Sequence, residues 1–224
     1  MFKRALLIFI IIMGAFYIFF APREPFLIAI LFKIIPMIGI ILYALLRLDR
    51  SNKLQRFEIV MIAGIVVCSI ADVAIAITFI AGLVIFLIGH IIYITGFSMK
   101  INWNIKRFFL IVIPIVIVGI FYGQYLIKHV YSQDAWLVGP VIAYVLVISI
   151  MVIMAFLTGN IFAIVGSILF YLSDAVLAWN MFIESLTYST LYIMSTYYMG
   201  QLLIANSILP ISTRGSLNHK KKVA

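Results

Sequence analysis

The chain has 224 residues, 66% of them hydrophobic and 10% charged, with a formal net charge of +9 and a mean hydropathy of +1.25. A soluble domain is nearer half apolar and a quarter charged, so an ordinary soluble enzyme, a secreted disulfide scaffold and a disordered chain are all excluded. The lone cysteine, Cys68, sits in an apolar run with no CxxC pair or His/Cys cluster, which argues against a disulfide framework and against a metal site.

A membrane span needs ~20 mainly apolar residues. The sequence therefore predicts an all-α polytopic membrane protein with eight transmembrane helices and little chain left over. In chain order the spans are 5–20, 26–46, 57–77, 79–97, 108–127, 135–157, 160–180 and 187–209. They are apolar all round and lack the period-two alternation of barrel strands. The first has a basic start like a signal peptide. Phe19, however, stands where cleavage after Ala21 wants a small residue, so an uncleaved helix is expected. The third and fourth spans meet at Thr78, which implies a tight turn.

With the N-terminus in the cytosol, 13 Lys and Arg fall on the cytosolic side. Two, Arg23 and Lys128, fall on the other, and Lys33 lies inside a span. This bias places both termini in the cytosol and accounts for the positive charge without a nucleic-acid partner. The end of the chain, Lys221-Lys222-Val223-Ala224, resembles a dilysine retrieval signal of the endoplasmic reticulum membrane; the alternative is a basic tail that anchors on anionic lipid.

Two stretches repeat. Gly64 is followed by Asp72 and Ala76, and Gly166 by Asp174 and Ala178, at the same spacing and 102 positions apart. Pro36 and Pro140 recur at a similar offset. A parallel duplication of a four-helix unit is the simplest account, with halves of about 1–105 and 106–209 in one membrane domain and a basic tail at 210–224. The duplication would put Asp72 and Asp174 at equivalent depths, ~8–9 Å from the helix ends opposite the cytosol.

An Asp within hydrocarbon costs several kcal/mol and is by default functional or paired. Asp72 and Asp174 qualify, whereas Glu24, Asp49, Asp134 and Glu184 fall in loops and Glu58 near the surface, where solvation is expected. Lys33 matches the two Asp residues in depth and reads either as their ion-pair partner or as a contact for a phosphate headgroup. His90 and Tyr93 share one helix face, as do Tyr197 and Gln201. Interhelical hydrogen bonding and a place in a reaction site are both open to them. No serine-hydrolase elbow, P-loop, HExxH or GxGxxG is present.

The run Ser69-Ile-Ala-Asp72, with Phe86-Leu-Ile-Gly-His90-Ile-Ile-Tyr93 after it, resembles the first signature of the YhhN-like lysoplasmalogenase (alkenylglycerophospholipid hydrolase) family. Gly166 through Ala178, followed by Tyr197-Tyr-Met-Gly-Gln201, resembles the second, and Lys33-Ile-Ile-Pro36 matches a Lys-x-x-Pro in its second helix. Ala71 departs from the Gly of many relatives. The resemblance covers about residues 30–209. It implies eight helices, catalytic Asp72 and Asp174, and hydrolysis of the vinyl ether of a lysoplasmalogen to a fatty aldehyde and glycerophosphocholine or glycerophosphoethanolamine. Lys33, His90, Tyr93, Tyr197 and Gln201 are then expected to bind the lysophospholipid.

That chemistry needs a carboxylic acid to protonate carbon and a carboxylate to steady the oxocarbenium ion or activate water, as in glycosidases. Two carboxyls close together in an apolar cavity take up different protonation states. No cofactor, metal or nucleophilic Ser is required. The rival reading from residues alone is a proton-coupled transporter, since parallel repeats, prolines and intramembrane acids also belong to carriers. A lipid-binding scaffold is a third.

Overall fold

The computed structural model describes residues 2–22, 24–48 and 54–208. Eight helices fill them: α1 (Phe2–Phe19), α2 (Phe26–Arg47), α3 (Arg56–Ile77), α4 (Phe79–Ser98), α5 (Ile105–Gln133), α6 (Val138–Thr158), α7 (Ile161–Phe182) and α8 (Ser189–Ser207). A 3-10 turn, Ala135–Leu137, leads into α6, and no strand occurs among the described residues. Seven of these helices, α1 to α7, are long and apolar enough to cross a membrane. The chain is a multi-pass integral membrane protein. The eighth expected span corresponds to α8, which is less apolar because it turns Tyr197, Tyr198, Gln201 and Ser207 inward, where they are buried. Arg23, Asp49 and the basic tail with its terminal lysines lie outside the described residues.

The helix ends follow from local chemistry. Thr78 alone separates α3 from α4, and its hydroxyl accepts from the Ala81 amide at 3.3 Å. Asn104 caps α5 by accepting from the Lys106 and Arg107 amides, and Asn160 caps α7 from that of Phe162. Gly159, at φ 69°, adopts the left-handed conformation that ends α6. Two expectations need revision. Helix α5 runs to Gln133 rather than stopping at 127, because no Gly or Pro interrupts the chain there until Gly139. Glu58 is buried rather than solvated: it folds back on the Gln55 amide at 2.8 Å in a capping box. Pro36 lies inside α2, whereas Pro140 falls in the first turn of α6, where a missing N–H costs nothing.

Small residues let the helices approach. Gly82, Gly89 and Gly96 repeat every seven residues on α4 and face Ile75, Cys68 and Met61, which descend every seven on α3. A Cβ at Gly89 would stand 2.7 Å from the Cys68 sulfur. On the other side of the bundle Gly166 of α7 meets Gly200 of α8, where a Cβ on either would lie 2.9 Å from the other's carbonyl oxygen. In lipid, close packing of this kind replaces the hydrophobic drive for helices to associate. These two tight pairs, α3–α4 and α7–α8, carry one Asp each.

Candidate active site

Asp72 stands five residues before the end of α3, ~7–8 Å at the helical rise. Its carboxylate is almost wholly buried, and both oxygens are engaged. Oδ1 pairs with the Lys33 ammonium of α2 at 3.1 Å, and Oδ2 accepts from the Tyr197 hydroxyl of α8 at 2.7 Å. Lys33 Nζ also lies 3.3 Å from the Asp72 carbonyl oxygen. The Lys33 backbone is held in turn by Tyr198, whose hydroxyl donates to its carbonyl at 2.7 Å. The ion pair is therefore fixed from three helices.

Asp174 stands eight residues before the end of α7, ~12 Å, deeper than the sequence expectation because α7 extends to Phe182. Its Oδ2 accepts from the Tyr144 hydroxyl of α6 at 2.5 Å. No Lys or Arg pairs with it among the described residues. The nearest basic group is His90 of α4, whose Nε2 lies 3.7 Å from the same oxygen, beyond hydrogen-bonding distance. His90 is fully buried between the Tyr144 and Phe170 rings, and neither ring nitrogen has a hydrogen-bond partner.

Asp72 and Asp174 both line one cavity of about 320 Å³ with polar and apolar walls, along with Lys33, Tyr197 and Asn180. Tyr17 of α1 also lines it, so the first helix contributes to the wall. An apolar groove, walled by residues such as Leu83, Leu126, Val145 and Ile148, meets this cavity along Phe79, Phe86, Asp174 and Leu177. Asp174 thus stands where a partly polar space joins an apolar one.

Of the residues singled out from sequence, Asp72, Asp174, Lys33 and Tyr197 come together around this cavity. His90, Tyr93 and Gln201 are fully buried and do not line it, with His90 3.7 Å from Asp174. The Tyr93 hydroxyl donates to Gln201 Oε1 at 2.6 Å in the fully buried core, which leaves Gln201 Nε2 without a partner. Sequence reasoning placed Tyr198 in a polar patch with Tyr197 and Gln201 but missed Tyr144. A hydroxyl in the otherwise apolar stretch Val141-Ile-Ala-Tyr144-Val was the available signal, but tyrosines in spans are read by default as interface anchors.

The arrangement is a carboxylate pair in a multi-pass membrane protein, one member ion-paired and the other held by one neutral hydroxyl, beside an apolar groove. Residues 28–208 match the YhhN family, and the chain belongs to it. Among curated proteins it is 40% identical over 88 residues to lysoplasmalogenase TMEM86B of Mus musculus and 41% identical over 87 residues to that of Homo sapiens, each match covering 39% of this chain. The match spans 37% and 38% of those relatives' own lengths. No solved structure matches the chain.

Proposed function

We propose that the protein hydrolyses the vinyl ether bond of lysoplasmalogens by paired carboxyl chemistry at Asp174 and Asp72. The observation that carries this reading is the unequal company the two carboxyls keep in one cavity. A buried charge is tolerable when paired. Asp72 has Lys33 as counter-ion and serves as the anion; Asp174, with the hydroxyl of Tyr144 on Oδ2, carries its proton on Oδ1. The lysoplasmalogenase relatives and the family membership support the substrate class.

The proton count closes over one turnover. Asp174 gives its proton to the alkenyl carbon β to the ether oxygen, and the resulting oxocarbenium ion faces the Asp72 carboxylate. Water adds to that cation and leaves its proton on Asp72, giving a hemiacetal. The hemiacetal hydroxyl returns a proton to Asp174 while Asp72 protonates the departing glycerol oxygen. The C–O bond breaks, aldehyde and glycerophosphodiester separate, and both carboxyl groups recover their starting states. The alkyl chain occupies the apolar groove and the headgroup the partly polar cavity, with the reacting bond beside Asp174.

The two Asp environments are related in pattern. Asp72 on α3 is met by α2 and α8; Asp174 on α7 is met by α6 and α4. Equivalent elements under a four-helix duplication therefore supply the partners, which supports that origin for the fold, while the partner residues Lys33 and Tyr144 occupy different positions along their helices.

The test is incubation of purified protein in detergent with a lysoplasmalogen. Release of aldehyde supports hydrolysis, since transport needs two compartments and a micelle offers none. In D2O the aldehyde should carry one deuterium on the carbon next to the carbonyl. No aldehyde from monodisperse protein would return the transporter reading to the front.

A further inference from the structure

We propose that the reaction is one-sided: water enters, and the glycerophosphodiester leaves, only at the membrane face opposite the basic loops. This rests on the hydrolase reading above and adds a direction to it.

The two ends of the bundle are distinguishable by contacts. At one end the starts of α3 and α7 meet the ends of α4 and α8, since Gln55, Lys100, Asn160 and Ser207 line a common polar cavity of about 200 Å³. Arg47 at the end of α2 bonds Asn206 near the end of α8 at 2.6 Å, and Asn102 beyond α4 donates to the Leu157 carbonyl of α6. Nearly all the basic loops belong to this end, which the charge bias assigns to the cytosol. At the other end Gln133 of α5 donates to the Phe182 carbonyl of α7, and the only cations near it by sequence are Arg23 and Lys128, the latter within the end of α5.

The cavity that holds Asp72 and Asp174 lies entirely toward this second end. Its lining includes Ala76 and Phe79 around the α3–α4 turn, Asn180 and Met181 at the close of α7, and Ser189 and Thr190 at the opening of α8. Toward the basic end, Glu58 is fourteen residues from Asp72 along α3, ~21 Å. The two cavities share no lining residue. Between them lie Ile65, Tyr93, Phe170, Gln201 and Ile204, all fully buried, with Tyr93 bonded to Gln201. The cavity's polar residues Asn180, Ser189 and Thr190 thus stand toward one face, and a packed core lies toward the other. The glycerophosphodiester is charged and does not cross lipid, because ion transfer into hydrocarbon is prohibitive. It is left in the compartment the cavity faces.

The experiment uses the full chain in sealed vesicles with 1-alkenyl-2-lyso-glycerophosphocholine, labelled in the choline, in both leaflets. Orientation is measured on Ser185→Cys, in the α7–α8 connection, and Ser98→Cys, at the basic end, with a membrane-impermeant maleimide; Cys68 is fully buried and stays silent. Labelled glycerophosphocholine inside and outside is then separated and counted. The expected result is that its partition follows the Ser185→Cys side, and reverses in preparations of opposite orientation. Product on the Ser98→Cys side, or divided without regard to orientation, overturns one-sided release while leaving hydrolysis intact. No product even after the vesicles are dissolved in detergent overturns the hydrolase reading, and this inference with it.

Discussion

At the scale of residues, Lys33 and Asp72 form a unit whose halves cannot be removed separately without cost. Losing one partner of a buried ion pair leaves an uncompensated charge, worth about 3–5 kcal/mol. Asp72→Asn should therefore unfold at lower temperature than Asp174→Asn, and Lys33→Met combined with Asp72→Asn should recover much of the loss without restoring turnover. Thermal melts in detergent read this order; equal melting of the two single variants would remove the ion pair as the reason for the asymmetry. Asp174→Asn keeps the shape of the site, with no counter-ion to strand, and takes away the proton donor. Its kcat should fall about 10²–10⁴-fold, the usual contribution of a general acid. The double variant Asp72→Asn, Asp174→Asn should be scarcely slower than either single one, because groups that act as one unit are not additive. Tyr144→Phe deletes a hydroxyl whose hydrogen bond to a neutral carboxyl group is worth ~0.5–1.5 kcal/mol. If it fixes Asp174 for proton transfer, the variant loses kcat with little change in KM; a rise in KM alone would make Tyr144 a substrate contact instead.

At the scale of elements, the close helix pairs hold the two carboxyl-bearing helices in place. Gly166→Val would drive a side chain into the Gly200 carbonyl and the Ile204 amide, both backbone atoms that cannot swing aside. Such overpacking costs about 1–3 kcal/mol, and it should depress both the melting temperature and the activity by separating α7 from α8. Gly119→Ala on α5, where an added Cβ meets nothing within 4 Å, should be neutral or raise the melting point through helix propensity, by up to ~1 kcal/mol. Opposite shifts in melting temperature are the measurement. These pairs also show what a sequence displays and what it hides. Hydropathy and turn residues marked all eight helices, and the one-residue link at Thr78, because lipid dictates length and composition directly. The ends of α5 and the burial of Glu58 were not legible, since a helix in polar surroundings needs no apolar signal and a capping box looks like an ordinary exposed acid. Asp72, Asp174 and Lys33 stood out as charges in apolar runs. Whether Lys33 faced a carboxylate or a headgroup depended on how α2 packs on α3, which spacing along one helix does not specify. His90, Tyr93 and Gln201 are legible only as inward-facing polar groups, because polar groups in spans turn inward whether they serve the core or a site.

At the scale of the whole molecule, two adjoining spaces of different lining meet at Asp174. The partly polar cavity is walled by α1, α2, α3, α4, α7 and α8, while the apolar groove draws chiefly on α4, α5, α6 and α7, with Asp174 common to both. In the proposed reaction a single-chain lipid would lie across the junction, its alkyl chain among Leu83, Leu126 and Val145 and its phosphate toward Asn180 and Ser189. The chain comes from micelle or bilayer hydrocarbon, so each methylene seated in such a groove gains packing contacts worth less than the ~0.8 kcal/mol of transfer from water. The ratio kcat/KM should therefore climb with alkenyl chain length until the groove is full and then level off. Val145→Trp fills the groove from α6 without touching either carboxyl group. It should shorten the chain length at which the climb ends, and leave the rate on a short-chain vinyl ether near that of the native protein. Measuring kcat/KM across a series of alkenyl chains for both proteins in one detergent separates this from general damage, which would lower every substrate alike. If the chain-length curves of Val145→Trp and native protein superimpose, the alkyl chain lies elsewhere, and the groove beside Asp174 has no part in holding the substrate.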